Sequence, residues 1–217
     1  MKSKQENSFW PSYTDLMTSL FFIMLVLYVL TYVRLSSTIK LQKEKLTIIE
    51  TVEQNLKPLK EDPLFVYEEE YKRFKLSFDV KFETNKYNLN PGELENYAST
   101  ITSINRAGQK LKYIIDNLNV TKNSNSQLKN VSYILVIAGY ASKTGDELHN
   151  YKLSYERALA LRNHWRTKGI DFESEKYQDL IDLQISGNGI GGVGRDIVDV
   201  NNQRFLIQIF PKIGDVK

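Results

Sequence analysis

Hydrophobic and polar positions fall into a few distinct patterns along the chain. From Leu16 to Val33 there is no charge, and the residues are almost all aliphatic or aromatic. A run of roughly 18–20 apolar residues spans a bilayer core as one helix. Beyond it, Leu35, Ile39, Leu46, Ile49 and Leu56 recur at partial helical spacing with charges between them, which predicts a helix over 34–56. Phe74, Leu76, Phe78, Val80 and Phe82 alternate with polar residues, the pattern of a half-buried strand. Pro91 is placed to open a helix carrying Leu94, Ala98, Ile101 and Ile104 and continuing through Leu111 and Ile115. Residues 119–130 read as a polar loop, and Tyr133–Ile137 as a short buried strand. A helix is expected from Glu147 to Lys168, stopped by Gly169, with strands near Leu180–Ser186 and Phe205–Phe210.

These elements predict a single N-terminal transmembrane α-helix followed by an α/β (α+β) domain with a β-α-β-α-β type mixed sheet. Four segments follow: a polar head over 1–12, the span over 13–33, a linker over 34–66 and the domain over 67–217. Pro58 and Pro63 bracket an expected hinge, and Tyr67–Arg73 reads as a solvated surface segment. The stripe over 34–56 leaves two readings open, pairing with a second copy or a solvated linker helix, because Gln42 and Glu53 interrupt the seam.

Composition removes several classes. Lys and Arg number 29 against 26 Asp and Glu, for a net charge of +3, with the two signs interleaved. That balance points away from nucleic acid. With no cysteine there is no disulfide framework and no thiol chemistry. The two histidines, His149 and His164, lie too far apart on one helix to form an i, i+4 metal pair. No Ser–His–Asp constellation is visible, so an enzyme is not expected, nor a bound cofactor or metal. Glu6 and Asp15 before the long apolar run, and the lack of an A-x-A-like site after it, favour a retained anchor over a cleaved signal.

Three motifs carry candidate chemistry. Asp15 stands at the leading edge of the span, where a carboxylate costs a few kcal/mol unless neutralised, paired or hydrated. It reads either as an ion-handling acid or as an N-cap or first-turn acid favoured by the helix dipole. Gly139-Tyr140-Ala141-Ser142-Lys143-Thr144-Gly145 is followed by Asn150, Leu153-Ser154 and Arg157-Ala158. Arg157 alone reads equally as a surface salt-bridge residue. Gly187-Asn188-Gly189-Ile190-Gly191-Gly192 fits G-x-G-x-x-G, but the sequence leads into a strand rather than a helix, so it is expected to be a flexible loop.

Trp10, Thr14-Asp15-Leu16-Met17-Thr18 and the run behind them resemble the membrane segment of MotB-type stator subunits of ion-driven motors. The resemblance implies that Asp15 takes up and releases the coupling ion, a proton or sodium. The Gly139–Ala158 stretch resembles the core of OmpA-like peptidoglycan-binding domains, supported by Val80–Asn85, Asn90-Pro91 and Asn202–Phe205. In that family a loop and helix start hold a diaminopimelate residue of the wall peptide. The resemblance puts Arg157 on its carboxylate, Thr144 and Asn150 at the pocket wall, and Ser142 where the family usually has an Asp facing the ammonium.

Together these resemblances imply a B-type stator subunit: a homodimer inside a ring of MotA-like or ZorA-like membrane subunits, a pentamer in such motors. The N-terminus would be cytoplasmic, the anchor in a bacterial inner membrane and the C-terminal domain extracytoplasmic on peptidoglycan. The short connection between span and domain is most similar to the B component of the Zorya anti-phage defence system. A flagellar MotB-like subunit, a passive OmpA-like tether and an energy transducer of the ExbD or TolR type are the alternatives.

Overall fold

The computed structural model describes residues 9–125 and 128–213. Most of the expected head, residues 1–12, lies outside the described residues. The chain divides into two compact units, Met1–Thr47 and Ile48–Lys217. The fold class is the expected one, a long apolar N-terminal helix and an α/β domain with a mixed five-stranded sheet.

One helix, α1 (Phe9–Lys60), contributes to both units. In the first, Leu16 to Val33 are exposed on every side of the helix. A helix apolar all round and packed against no other described residue needs lipid or partner helices for a solvent. At 1.5 Å per residue those 18 positions rise about 27 Å, close to the hydrocarbon thickness of a bilayer. The hydroxyls of Thr18 and Thr31 donate to the Thr14 and Leu27 carbonyls at 2.8 and 2.7 Å. Such internal bonds spare these polar groups an unmet donor in a membrane.

In the second unit, Ile48, Val52, Leu56 and Leu59 of α1 are buried in the domain core. They recur every three or four residues, one stripe of the helix. The expected hinge is not there: Pro58 lies within α1, and the helix stops only at Lys60. Pro63 disfavours helical geometry at Asp62, and the Asp62 carboxylate accepts the Leu64 N–H at 3.0 Å to make the turn.

The sheet comprises β1 (Phe65–Glu68), β2 (Arg73–Leu76), β3 (Val131–Gly139), β4 (Ile181–Gly187) and β5 (Phe205–Ile213). The order is β1-β2-β5-β3-β4, with β3 and β4 parallel and the other pairs antiparallel. Helix α2 (Tyr97–Ser124) buries Ile104, Ala107, Leu111, Ile114, Ile115 and Leu118, and α3 (Glu147–Thr167) buries Leu153, Ala158, Leu161 and Trp165. The two helices meet where Trp165 donates to the Ile104 carbonyl at 3.0 Å. Gly108 leaves the room for that indole, because a Cβ there would collide with it.

Several expected elements shift. The strand over Phe74–Phe82 ends at Leu76, because its partner β5 begins at Phe205 and offers nothing further to pair with. Val80 and Phe82 stay buried without a strand, and Phe82 makes a single bridge to Leu94. Pro91 opens a turn rather than a helix: Gly92 takes φ +83, and α2 starts only after Asn96, at φ 49. At its other end α2 runs to Ser124, into the expected loop. Phe65–Glu68, read partly as a solvated segment, is the edge strand β1, and Arg73 is buried.

Candidate functional site

Two glycines set the position of α3. Gly139 and Gly187 end β3 and β4 as register partners. A Cβ on Gly139 would overlap the Ser154 carbonyl, and one on Gly187 would stand 2.6 Å from the Tyr155 nitrogen. The helix therefore rests directly on the strand ends, which brings its first turns to the loop leaving β3.

That loop is tied at nearly every residue. The Ala141 N–H donates to the Gly189 carbonyl at 3.0 Å, and the Ala141 carbonyl accepts from Arg195 at 2.8 Å. The Lys143 N–H donates to both carboxylate oxygens of Asp199. Asn150, buried on α3, donates to the Thr144 carbonyl at 3.0 Å. Asp146 caps α3 by accepting the His149 N–H at 2.8 Å. Thr144 thus joins Asn150 through its carbonyl while its side chain is exposed, and Ser142 sits half-buried in the same loop.

Arg157 stands two turns beyond Asn150 on the buried side of α3, and only 3% of it is exposed. Its Nε donates to the Lys86 carbonyl at 3.1 Å, and its guanidinium lies 4.4 Å from the Phe82 ring centroid. A second contact fixes that neighbouring loop, His149 Nε2 to Asn85 Oδ1 at 3.0 Å. Burial pushes the Arg157 pKa down to about 10, so the group stays charged at neutral pH. Among the described residues no carboxylate pairs with it. This rules out the surface salt-bridge alternative. A buried cation without a counter-ion is costly, and a planar guanidinium is well shaped to take a carboxylate in two parallel bonds. The structure places Ser142, Thr144 and Asn150 at one corner and Arg157 along the same helix, with no hydrogen bond joining Arg157 to the others.

The glycine run is a loop, as expected, but a tied one. Gly189 and Gly191 lie against the Tyr151 ring, where a Cβ would come within 2.8 and 3.0 Å. The Gly189 N–H donates to Ser154 Oγ at 2.8 Å, and only a short 3-10 turn, Asp199–Asn202, follows. The glycines serve packing. His164 bonds Asn105 at 2.7 Å, and no group of three candidate metal ligands occurs among the described residues. Asp146, Arg195 and Asp199 were not singled out in the sequence. Asp146 carried the signal of an acid just before a helix; the other two carried none, because they act across more than fifty residues.

In the first unit, Asp15 is the seventh residue of α1, not a cap or first-turn acid; that turn holds no acid. It is exposed, and no described residue pairs with it.

No family model matches the chain. Over 92 residues, 42% of its length, it is 27% identical to Outer membrane protein A of Buchnera aphidicola subsp. Schizaphis graminum. The match spans a quarter of that relative's length. Among solved structures, a MotB-like protein from Desulfovibrio vulgaris aligns over 77% of this chain and 94% of its own, at 13% identity and TM-score 0.40. The OmpA-like domain of FopA1 from Francisella tularensis aligns over 65% and 73%, at 22% identity and TM-score 0.37. The periplasmic domain of Helicobacter pylori MotB aligns over 66% and 86%, at 15% identity and TM-score 0.34.

Proposed function

We propose that this chain anchors in a bacterial inner membrane and holds peptidoglycan, and that it is the B-type subunit of an ion-driven stator. The buried, uncompensated Arg157 carries the wall-binding half: a carboxylate of the wall peptide supplies the counter-charge the protein lacks. Ser142, Thr144 and Asn150 shape the loop beside it. The position of Asp15, past the first turn of a helix apolar on all sides, supports the motor half. An acid at that depth is tolerated when it takes up a proton, pairs with a cation or meets water. A proton or sodium ion enters from outside, binds Asp15 and leaves to the cytoplasm. Each elementary charge supplies roughly 2.3 kcal/mol per 100 mV.

Two copies stand inside a ring of MotA-like or ZorA-like subunits, a pentamer, and the wall-bound domains keep the dimer from spinning. The finer reading is a motor of the Zorya defence type rather than a flagellar one. Its support is the short connection, since α1 itself runs from the span into the domain core.

The test is Asp15→Asn in cells expressing the partner subunits. Motor-dependent activity should vanish while the protein stays in the membrane and on the wall. Full activity without the charge makes the chain a passive tether instead.

A further inference from the structure

We infer that the outer edge of β4 and the neighbouring flank of α3 form an interface with a second copy of this chain, each β4 pairing antiparallel with the other. The inference rests on the two-copy reading given above and names the surface through which the soluble domains meet.

β4 is one end of the sheet, and no described residue pairs with its outer side. Sheet edges are ordinarily blunted by shortness, lysine, proline or a bulge. The opposite edge strand, β1, is only four residues long. β4 offers seven, Ile181–Gly187, with one charge, Asp182, and neither lysine nor proline. It pairs with β3 residue by residue, without a bulge. Leu183 and Ile185 pack against the domain core yet stay half-buried. On α3, Leu148, Tyr151 and Tyr155 recur at i, i+3 and i+7 and are 78, 40 and 46% exposed. The two tyrosines lie on the β4 side of α3, because Gly187 abuts the Tyr155 backbone and Gly189 the Tyr151 ring.

Symmetry selects a second copy as the occupant. Antiparallel pairing about Gln184 is the register that uses all seven residues. Leu183 then faces Ile185 of the copy, Asp182 faces Ser186, and Gln184 faces its own equivalent. Apolar pairs fall on the helix side of the joined sheet and polar pairs on the other. The two Asp182 carboxylates stand about 14 Å apart, beyond the screening length of ~10 Å at 0.1 M salt.

Spacing agrees. α3 rests on both β3 and β4, since a Cβ on Gly139 or Gly187 would meet its backbone. With strands about 4.8 Å apart, a helix astride β3 and β4 lies about 4.8 Å from a two-fold axis beside β4. The two α3 helices are then about 9.6 Å apart, within the 8–10 Å of packed helices. Tyr151 and Tyr155 of each copy fill that seam, and Leu183 and Ile185 are sealed beneath it.

The chain has no cysteine, so a single introduced one forms a disulfide only with another copy. In the full chain in detergent, Gln184→Cys puts two Cα atoms ~4.5–5.5 Å apart, within disulfide reach. Mild oxidation should link most of the protein as dimers. Asp182→Cys, its Cα atoms about 14 Å apart, should link at least ~10-fold less. Adding Tyr155→Glu to Gln184→Cys places two acids in the seam and should cut the linked fraction at least ~5-fold. An unchanged fraction there removes α3 from the interface and overturns it. Equal linking by both cysteine variants reports random collision and overturns the pairing. No link in Gln184→Cys, with a dimeric mass by light scattering, overturns this interface alone. No link with a monomeric mass overturns the two-copy reading as well.

Discussion

Replacing Arg157 by methionine separates a ligand-holding guanidinium from a structural one. The side chain is almost fully buried, and methionine is long and adaptable enough to fill most of its volume, so the cavity term is small. Burial lowers the guanidinium pKa to about 10. At ~1.4 kcal/mol per tenfold change in proton affinity, that is a penalty of ~3.5 kcal/mol carried by the folded state. The sign is that of a cation bound less tightly to its proton when folded. The penalty is present in full below about pH 10 and fades as pH rises through the range where the unfolded guanidinium still titrates.

Methionine removes this penalty but also two favourable contacts. The charged bond to the Lys86 carbonyl is worth ~1.5–3 kcal/mol, and the stacking on Phe82 is worth ~0.5–2 kcal/mol. The terms nearly cancel, so Arg157→Met should change stability by less than ~1.5 kcal/mol while abolishing retention on peptidoglycan. Breaking a buried ion pair would instead cost ~3–5 kcal/mol. Urea unfolding of a 48–217 fragment measures this, and Trp165, its single tryptophan, reports from the core. A loss of ~3 kcal/mol or more with wall retention intact would refute the assignment and make Arg157 a structural residue.

Two further outcomes are expected. A fragment starting at residue 61 should fail to fold where 48–217 folds, as read by dispersion of amide NMR signals. It lacks Ile48, Val52, Leu56 and Leu59, each worth ~1.5–3 kcal/mol of burial, and together they rival the whole stability of a domain. A pH response should trace to Asp116. Burial pushes its carboxyl up, but hydrogen bonds from Lys112 at 2.8 Å, from Lys176 and from Tyr177 at 2.6 Å outweigh this and hold it at about 2. Its contribution is complete above pH ~4 and is lost as pH falls toward 2. Asp116→Asn should flatten the fall in urea midpoint over that window, and an unchanged fall would place the acid sensitivity elsewhere.

Local pattern was enough for much of this protein. The uncharged run Leu16–Val33, the buried strand around Tyr133–Ile137 and the capped helix stopped before Gly169 are each written within about twenty neighbouring residues. Their periodicity follows from the geometry of a single helix or strand. Asp15 stood out the same way, as a charge at the edge of an apolar run, whereas Arg157 was marked only by the resemblance of the stretch around it. Tertiary structure decided whatever depended on a partner far along the chain. The alternation through Phe82 cannot show that β2 pairs with the start of the strand at Phe205, so the end of β2 was invisible. The stripe read over Leu35, Ile39, Leu46, Ile49 and Leu56 left pairing and a solvated linker open, and only the core shows that Ile48, Val52, Leu56 and Leu59 are the buried face while Leu35, Ile39, Leu46 and Ile49 stay exposed. Arg157 meets Lys86 across 71 residues, and Lys143 meets Asp199 across 56. A hydrogen bond depends on where its two groups lie in space and leaves no trace in local periodicity. The sequence alone therefore established the elements and the odd charges, and only the fold decided which charges meet, what they lack and what they are placed to hold.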